Sequence, residues 1–109
     1  MRDVNTMEEL EQALAEREVV LLKHGASCPI SRAARRELGA FCEANPAARV
    51  CSVEVTGRRA LSDEIERRLG VRHASPQLFL LREGRIEWQA THFEISAREL
   101  MKRMMPTAG

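Results

Sequence analysis

The sequence predicts one α/β domain built on a mixed four-stranded sheet with helices on both faces, and three observations predict it. Val19-Val20-Leu21-Leu22 is an unbroken β-branched and aliphatic run, which suits a strand buried on both faces. An amphipathic helical pattern separates it from a second strand-like run at Val50 to Val55, the arrangement of a parallel crossover. Leu78-Phe79-Leu80-Leu81 and the alternating Ile86, Trp88 and Ala90 flank Arg82-Glu83-Gly84-Arg85, an antiparallel hairpin with glycine at its turn.

The elements follow in order. Thr6 and Glu9 have capping-box spacing, and Leu10 and Leu14 recur at helical period, so a first helix runs to about Arg17. The buried strand ends at Lys23-His24-Gly25. From Pro29 onward, Ile30, Ala34, Leu38 and Phe41 mark a second helix that stops at Asn45-Pro46, because proline restricts the residue before it. Leu61, Ile65 and Leu69 mark a third helix closed by Gly70, which adopts the left-handed cap easily. Ser96 with Glu99 caps a last helix, on which Met101, Met104 and Met105 read as core packing.

At 109 residues the chain is read as a single domain, residues 1–109, with no repeat or low-complexity linker. The 17 Lys and Arg residues nearly balance 16 Asp and Glu, so no overall field draws it to nucleic acid or an anionic membrane. The opening residues lack the apolar stretch of a signal peptide, no later run approaches membrane-spanning length, and the expectation is a cytoplasmic protein. That compartment keeps structural thiols reduced, so the three cysteines do not read as a disulfide framework.

Ser27-Cys28-Pro29-Ile30-Ser31 falls where the buried strand gives way to the second helix. Proline suits the first helical turn, where no N–H is needed, and this places Cys28 at or beside the N-cap. A thiolate there meets unpaired N–H groups and the positive end of the helix dipole, which favours the nucleophilic form. Cys42 follows Leu38 by four residues on the apolar stripe, and Cys51 alternates with Val53 and Val55, so both read as core thiols acting as small hydrophobes. A straight helix puts Cys42 about 21 Å from Cys28, against a Cα span of ~4.4–6.8 Å for a disulfide. Three histidines and three cysteines without paired ligand spacing give no metal site.

Lys23-His24-Gly25-Ala26-Ser27-Cys28-Pro29-Ile30-Ser31, then Val71-Arg72-His73-Ala74-Ser75-Pro76-Gln77, then Gly84, Trp88, His92 and Ile95, together resemble the monothiol bacilliredoxin family of the YtxJ type over nearly the whole chain. The resemblance implies a thioredoxin-like fold and the removal of bacillithiol, a low-molecular-weight thiol, from mixed disulfides on proteins. It implies that Cys28 is the attacking thiol and that Ser75-Pro76 lies in the substrate-binding loop with His73 and Gln77, its proline cis. Ser31 stands where a dithiol oxidoreductase carries its second cysteine. Gly25 and Ala26 replace the polar residues expected of the family, and Thr91 replaces a serine. No bound cofactor is expected. Bacillithiol or another small thiol is the co-substrate, the partners are S-thiolated cytosolic proteins, and a second small thiol or a separate reductase regenerates Cys28.

His24 and His73 flank the two loops that converge on Cys28, where each can aid the thiolate or simply satisfy local hydrogen bonds. Arg32 lies four residues after Cys28 and shares its helix face, while His92, in phase with Trp88 and Ala90, reads as structural. Two other functions compete. An iron–sulfur carrier of the monothiol-glutaredoxin type is disfavoured by Pro29 and Ile30, which stand where those proteins place Gly-Phe. A non-catalytic binding module would use the groove beside Pro76.

Overall fold

The computed structural model describes residues 1–104, so Met105 of the C-terminal methionine set lies outside the described residues. The elements are β1 (Arg2–Asp3), α1 (Met7–Leu14), β2 (Glu18–His24), α2 (Pro29–Ala44), β3 (Val50–Glu54), α3 (Arg59–Leu69), β4 (Gln77–Arg82), β5 (Arg85–Thr91), a 3-10 turn (His92–Glu94) and α4 (Ala97–Met104). The sheet order is β1-β3-β2-β4-β5. β3 runs parallel to both β1 and β2, whereas β4 runs antiparallel to β2 and to β5. The sheet therefore has five strands and not four. The extra strand is two exposed residues at one edge, too short to produce any hydrophobic alternation.

β2 occupies the centre because its side chains are apolar on both faces. Val19 and Leu21 point to one side, where Leu10 and Ala13 of α1 and Leu61 and Ile65 of α3 cover them. Val20 and Leu22 point to the other, against Ala34, Leu38 and Phe41 of α2 and Leu100 of α4. Cys51 is buried in the first of these cores, and Cys42 packs at the margin of the second with Met101 and Met104. All three cysteines are free thiols.

Local signals set the ends of the helices. Thr6 and Glu9 form the reciprocal capping box, and α1 then stops at Leu14, short of Arg17, because the chain must turn to enter β2. Gly70 takes φ +68° as the C-cap of α3, and the Glu99 N–H donates to Ser96 Oγ at the start of α4. Glu83 and Gly84 both have positive φ, the pattern of a two-residue hairpin turn matched to the twist of the strands. One feature of the hairpin escapes alternation. Leu80 pairs with Trp88 but Leu81 pairs with Ile86, so Glu87 is an extra residue in β5. The bulge turns Ile86 toward the α1/α3 core while Trp88 packs on the α2/α4 side.

Lys23, in phase with Val19 and Leu21, is fully buried, and its Nζ finds no hydrogen-bond partner among the described residues. Burial lowers its pKa, with Glu66 and Asp63 pulling the other way. Because the folded pKa lies below the unfolded one, the unfolded chain binds this proton more readily, and stability rises as pH climbs toward the ordinary lysine value. Lys23→Met should therefore raise the unfolding free energy near neutral pH by about 1 kcal/mol, the lower end of the cost of an unsatisfied buried group. Denaturant unfolding at two pH values checks this, and the gain should shrink at the alkaline one.

Candidate active site

Strand β2 ends at His24, and α2 begins at Pro29, so the intervening four residues carry Cys28 out of the sheet at the carboxyl ends of β2 and β3. Parallel strands that end together leave a crevice there, with the N-terminus of the next helix beside it. Cys28 is the N-cap of α2 with extended backbone, Pro29 is exposed at the first helical position, and the Arg32 N–H donates to the Cys28 carbonyl at 3.0 Å. As a neutral thiol Cys28 makes no capping hydrogen bond. Its thiolate is favoured by the N–H of Ser31 above all and by that of Ile30, so the pKa falls below the usual thiol value. Slight burial opposes this, while the Ser31 hydroxyl and the Arg32 guanidinium add to it. Cys51, by contrast, is pushed up by burial.

Ser31 is fully buried, and its Oγ accepts the Gly25 N–H at 3.0 Å. The same hydroxyl keeps its hydrogen for the Cys28 sulfur. It thus braces the loop against the helix while donating to the thiolate, a role not visible in its position as the substitute for a second cysteine. A side chain placed on Gly25 would meet Ser75 Oγ at 3.6 Å, Cys28 Cβ at 3.8 Å and Ser31 Oγ at 3.9 Å, so these three residues converge around the Gly25 backbone. Glu54 holds the outer part of the loop. Its carboxylate accepts the N–H groups of Ala26, Thr56 and Gly57, and these bonds, the one from Gly57 foremost, hold its pKa below the carboxylate range.

The second loop meets the first from the α3 side. Ser75–Pro76 is cis, Pro76 is buried, and its carbonyl accepts the His92 N–H at 3.1 Å. Gln77 is buried too. Its amide nitrogen donates to the Arg72 carbonyl and its oxygen accepts the Ala74 N–H, which fixes the approach of the loop to Ser75. Ser27 is exposed beside Cys28, and Ile30 is half-buried.

The two histidines point elsewhere. His24 is buried, with Nε2 2.9 Å from Arg35 Nη1, and burial first and Arg35 second lower its pKa. His73 pairs through Nδ1 with Ser62 Oγ at 3.1 Å, and its N–H donates to Glu66; burial and then Lys23 lower its pKa. Neither contributes to the shift of Cys28, which rests on α2 alone. The chemistry this arrangement offers is that of one half-buried, activated thiolate whose helix carries no partner thiol nearby: α2 is uninterrupted from Pro29 to Ala44, which leaves Cys42 about 21 Å along its axis.

A family profile described as monothiol bacilliredoxin BrxC matches residues 1–100. The chain belongs to the monothiol bacilliredoxin family. Membership and geometry agree on a thiol oxidoreductase of the thioredoxin fold. A solved structure with a thioredoxin fold and a proposed oxidoreductase role is similar at 28% identity and a TM-score of 0.89, over 95% of this chain and 93% of that one. A poplar thioredoxin h mutant shares 21% identity at a TM-score of 0.77, over 96% of this chain and 84% of that one. Thioredoxin from Fasciola hepatica shares 16% at 0.74, over 94% of each chain. These last two likenesses are of fold alone.

Among the described residues no group of three or more His, Cys, Asp and Glu side chains is placed to hold a metal ion. Two residues of the bacilliredoxin site carried no readable signal. Glu54 and Arg35 act through contacts with the loop and with His24, across 28 and 11 residues of sequence. Neither spacing corresponds to a local motif.

The bond from Ser31 to the thiolate sets a test. The rate of Cys28 alkylation should rise with pH through a midpoint below the ordinary thiol value of about 8.5, with Cys42 and Cys51 modified far more slowly. Ser31→Ala removes one donor to the charged form, so the midpoint should move upward and the rate at neutral pH should fall several-fold. Peptide mapping after timed alkylation at a series of pH values measures both.

Proposed function

We propose that the protein removes a low-molecular-weight thiol from mixed disulfides on other proteins, with Cys28 as the nucleophile and bacillithiol as the small thiol. The observation that carries this reading is the N-cap thiolate of Cys28 beside a hydroxyl, not a thiol, at Ser31. The Cys28 thiolate attacks the small-thiol sulfur of a protein–S–S–R disulfide. A Cys28–S–S–R bond forms, the original bond breaks, and the protein leaves as a thiolate that takes up a proton from water. A neighbouring thiol would then expel R and close an internal disulfide, but Ser31 has none to give. The adduct waits for a second R–S⁻, which attacks it to give R–S–S–R and free Cys28, or for a separate reductase supplying the same two electrons.

Membership in the monothiol bacilliredoxin family supports bacillithiol as R. S-thiolated cytosolic proteins are the substrates in this reading. The backbone at half-buried Ser75 lies close enough to Gly25 and Cys28 to receive an extended segment as an added strand beside the reacting sulfur. In the chemistry itself, the N–H groups at the start of α2 stabilise the attacking thiolate and recover that role when Cys28 leaves again. A lower thiol pKa also makes Cys28 the better leaving group in the second step.

Intact-mass measurement after adding an oxidised low-molecular-weight disulfide tests the cycle. Wild type should accumulate with one small thiol on Cys28. Ser31→Cys should lose that mass and close an internal bridge, because Cys-x-x-Cys at a helix start allows one. Cys42→Ser should behave as wild type. Loss of the adduct from wild type into an internal disulfide that disappears in Cys42→Ser would show that Cys42 resolves Cys28 and that the enzyme is not monothiol.

A further inference from the structure

Ionisation of Cys28 places a negative charge at the start of α2, and disulfide exchange takes that charge away. In the thiolate state the sulfur accepts from the N–H groups of Ser31 and Ile30 and faces the positive charge of Arg32. Once Cys28 is joined to a small thiol as Cys28–S–S–R, its sulfur is neutral and a weak acceptor, and these positive groups lose their anion.

Arg32 is the member of this set that is free to take another. It follows Cys28 by one turn of α2, and its N–H donates to the Cys28 carbonyl at 3.0 Å. Long side chains on a helix lean toward its N-terminus and cover the turn before their own Cα, which for Arg32 is the turn that starts at Cys28. The residue is exposed and makes no ion pair among the described residues. Arg32 is also the single charged side chain that shifts the Cys28 ionisation, with no carboxylate opposing it. Glu54 lies across the loop, where the N–H groups of Ala26, Thr56 and Gly57 hold its oxygens.

We propose that Arg32 makes the Cys28 adduct selective for acidic small thiols, its guanidinium pairing with a carboxylate on R once the thiolate it faced has been consumed. The inference rests on the disulfide-exchange reading and names the chemical class of R. The selection is itself an exchange: Cys28–S–S–R and R′–S⁻ give Cys28–S–S–R′ and R–S⁻, so one S–S bond forms as another breaks and no oxidant is used. A neutral R leaves the guanidinium to water, and a cationic R is repelled by it.

The probes are three thiols of similar size, 3-mercaptopropionate, 2-mercaptoethanol and cysteamine, which are anionic, neutral and cationic at neutral pH. The protein is equilibrated with 3-mercaptopropionate against each of the other two, in buffers that hold both thiols and their disulfides. After acid quenching, the adducts on Cys28 are counted by peptide mass spectrometry. Each ratio is divided by that of the capped peptide Ser-Cys-Pro-Ile-Ser, which keeps the neighbours of the sulfur but lacks the helix and the arginine, so intrinsic differences among the thiols cancel.

Wild type should favour the mercaptopropionate adduct over the mercaptoethanol adduct by about threefold, within what an exposed ion pair gives, and over the cysteamine adduct by more. Both ratios should fall toward one in about 1 M salt, where the screening length is only ~3 Å. Arg32→Gln should bring them near one, and Arg32→Lys should keep most of each. Arg36→Gln, one turn further from the sulfur, should leave them in place. Removing the Arg32 charge also moves the Cys28 pKa, but the three adducts share that change and the ratios do not register it. Ratios near one in wild type, or a preference that survives Arg32→Gln or falls equally in Arg36→Gln, would overturn the proposal. Failure of Cys28 to form an adduct with any of the three thiols would overturn the exchange reading itself.

Discussion

At the first turn of α2 the N–H groups of Ile30 and Ser31 have no carbonyl one turn earlier to receive them, and the sulfur of Cys28 occupies the position where such an acceptor is wanted. A neutral thiol meets that need poorly and a thiolate meets it well. The helix therefore gains by the same ionisation that makes the sulfur a nucleophile. Pro29 strengthens the arrangement by supplying fixed helical backbone at a position with no N–H to satisfy. The remaining parts of the fold act on this turn by holding it in place: β2 delivers the chain to the edge of the sheet, Leu38 and Phe41 anchor α2 against Val20 and Leu22, and the Pro76 loop closes the far side.

Ser31 joins two requirements that pull in different directions. A second thiol there would resolve the adduct on Cys28 quickly but would commit the enzyme to an internal disulfide. A hydroxyl cannot exchange, yet it still accepts from Gly25 and donates to the sulfur. The protein thus keeps the electrostatic benefit of a polar neighbour and gives up internal resolution. The separation of Cys42 by most of a straight helix preserves this, since no bending of a few degrees closes a gap of about 21 Å. Cys51 is removed from the chemistry differently, by burial that keeps it protonated.

The legible parts of the fold are those where one residue type has a strong local consequence. Gly70, the Thr6–Glu9 pair, the Pro29 helix start and the uninterrupted apolar run of β2 each act within a few positions and are visible in sequence. β1 was not, because two exposed residues held by register to Cys51 and Ser52 carry no pattern of their own. The bulge at Glu87 was hidden for a related reason: alternation assumes equal spacing, and a single extra residue places Ile86 on the opposite face from Trp88. At the site, Cys28 was legible from its position alone. The cis bond at Pro76 came from the family resemblance and not from the residues, which by themselves carry only a small cis preference. His24 and His73 were placed near the right loops, but His24 Nε2 faces Arg35 while its buried Nδ1 has no partner among the described residues, and His73 Nδ1 pairs with Ser62. Those partners come from α2 and α3, and nothing in the two loops names them.

The start of α2 sets one of three chemically identical thiols apart from the others. Carbon-13 labelling of the cysteine β-carbons, with each resonance followed by NMR against pH in the intact wild-type protein, reads the three ionisations side by side without any reagent. Cys28 should titrate below the ordinary thiol value and Cys51 above it. A Cys28 resonance that titrates at or above the ordinary value, or together with Cys51, would contradict this assignment.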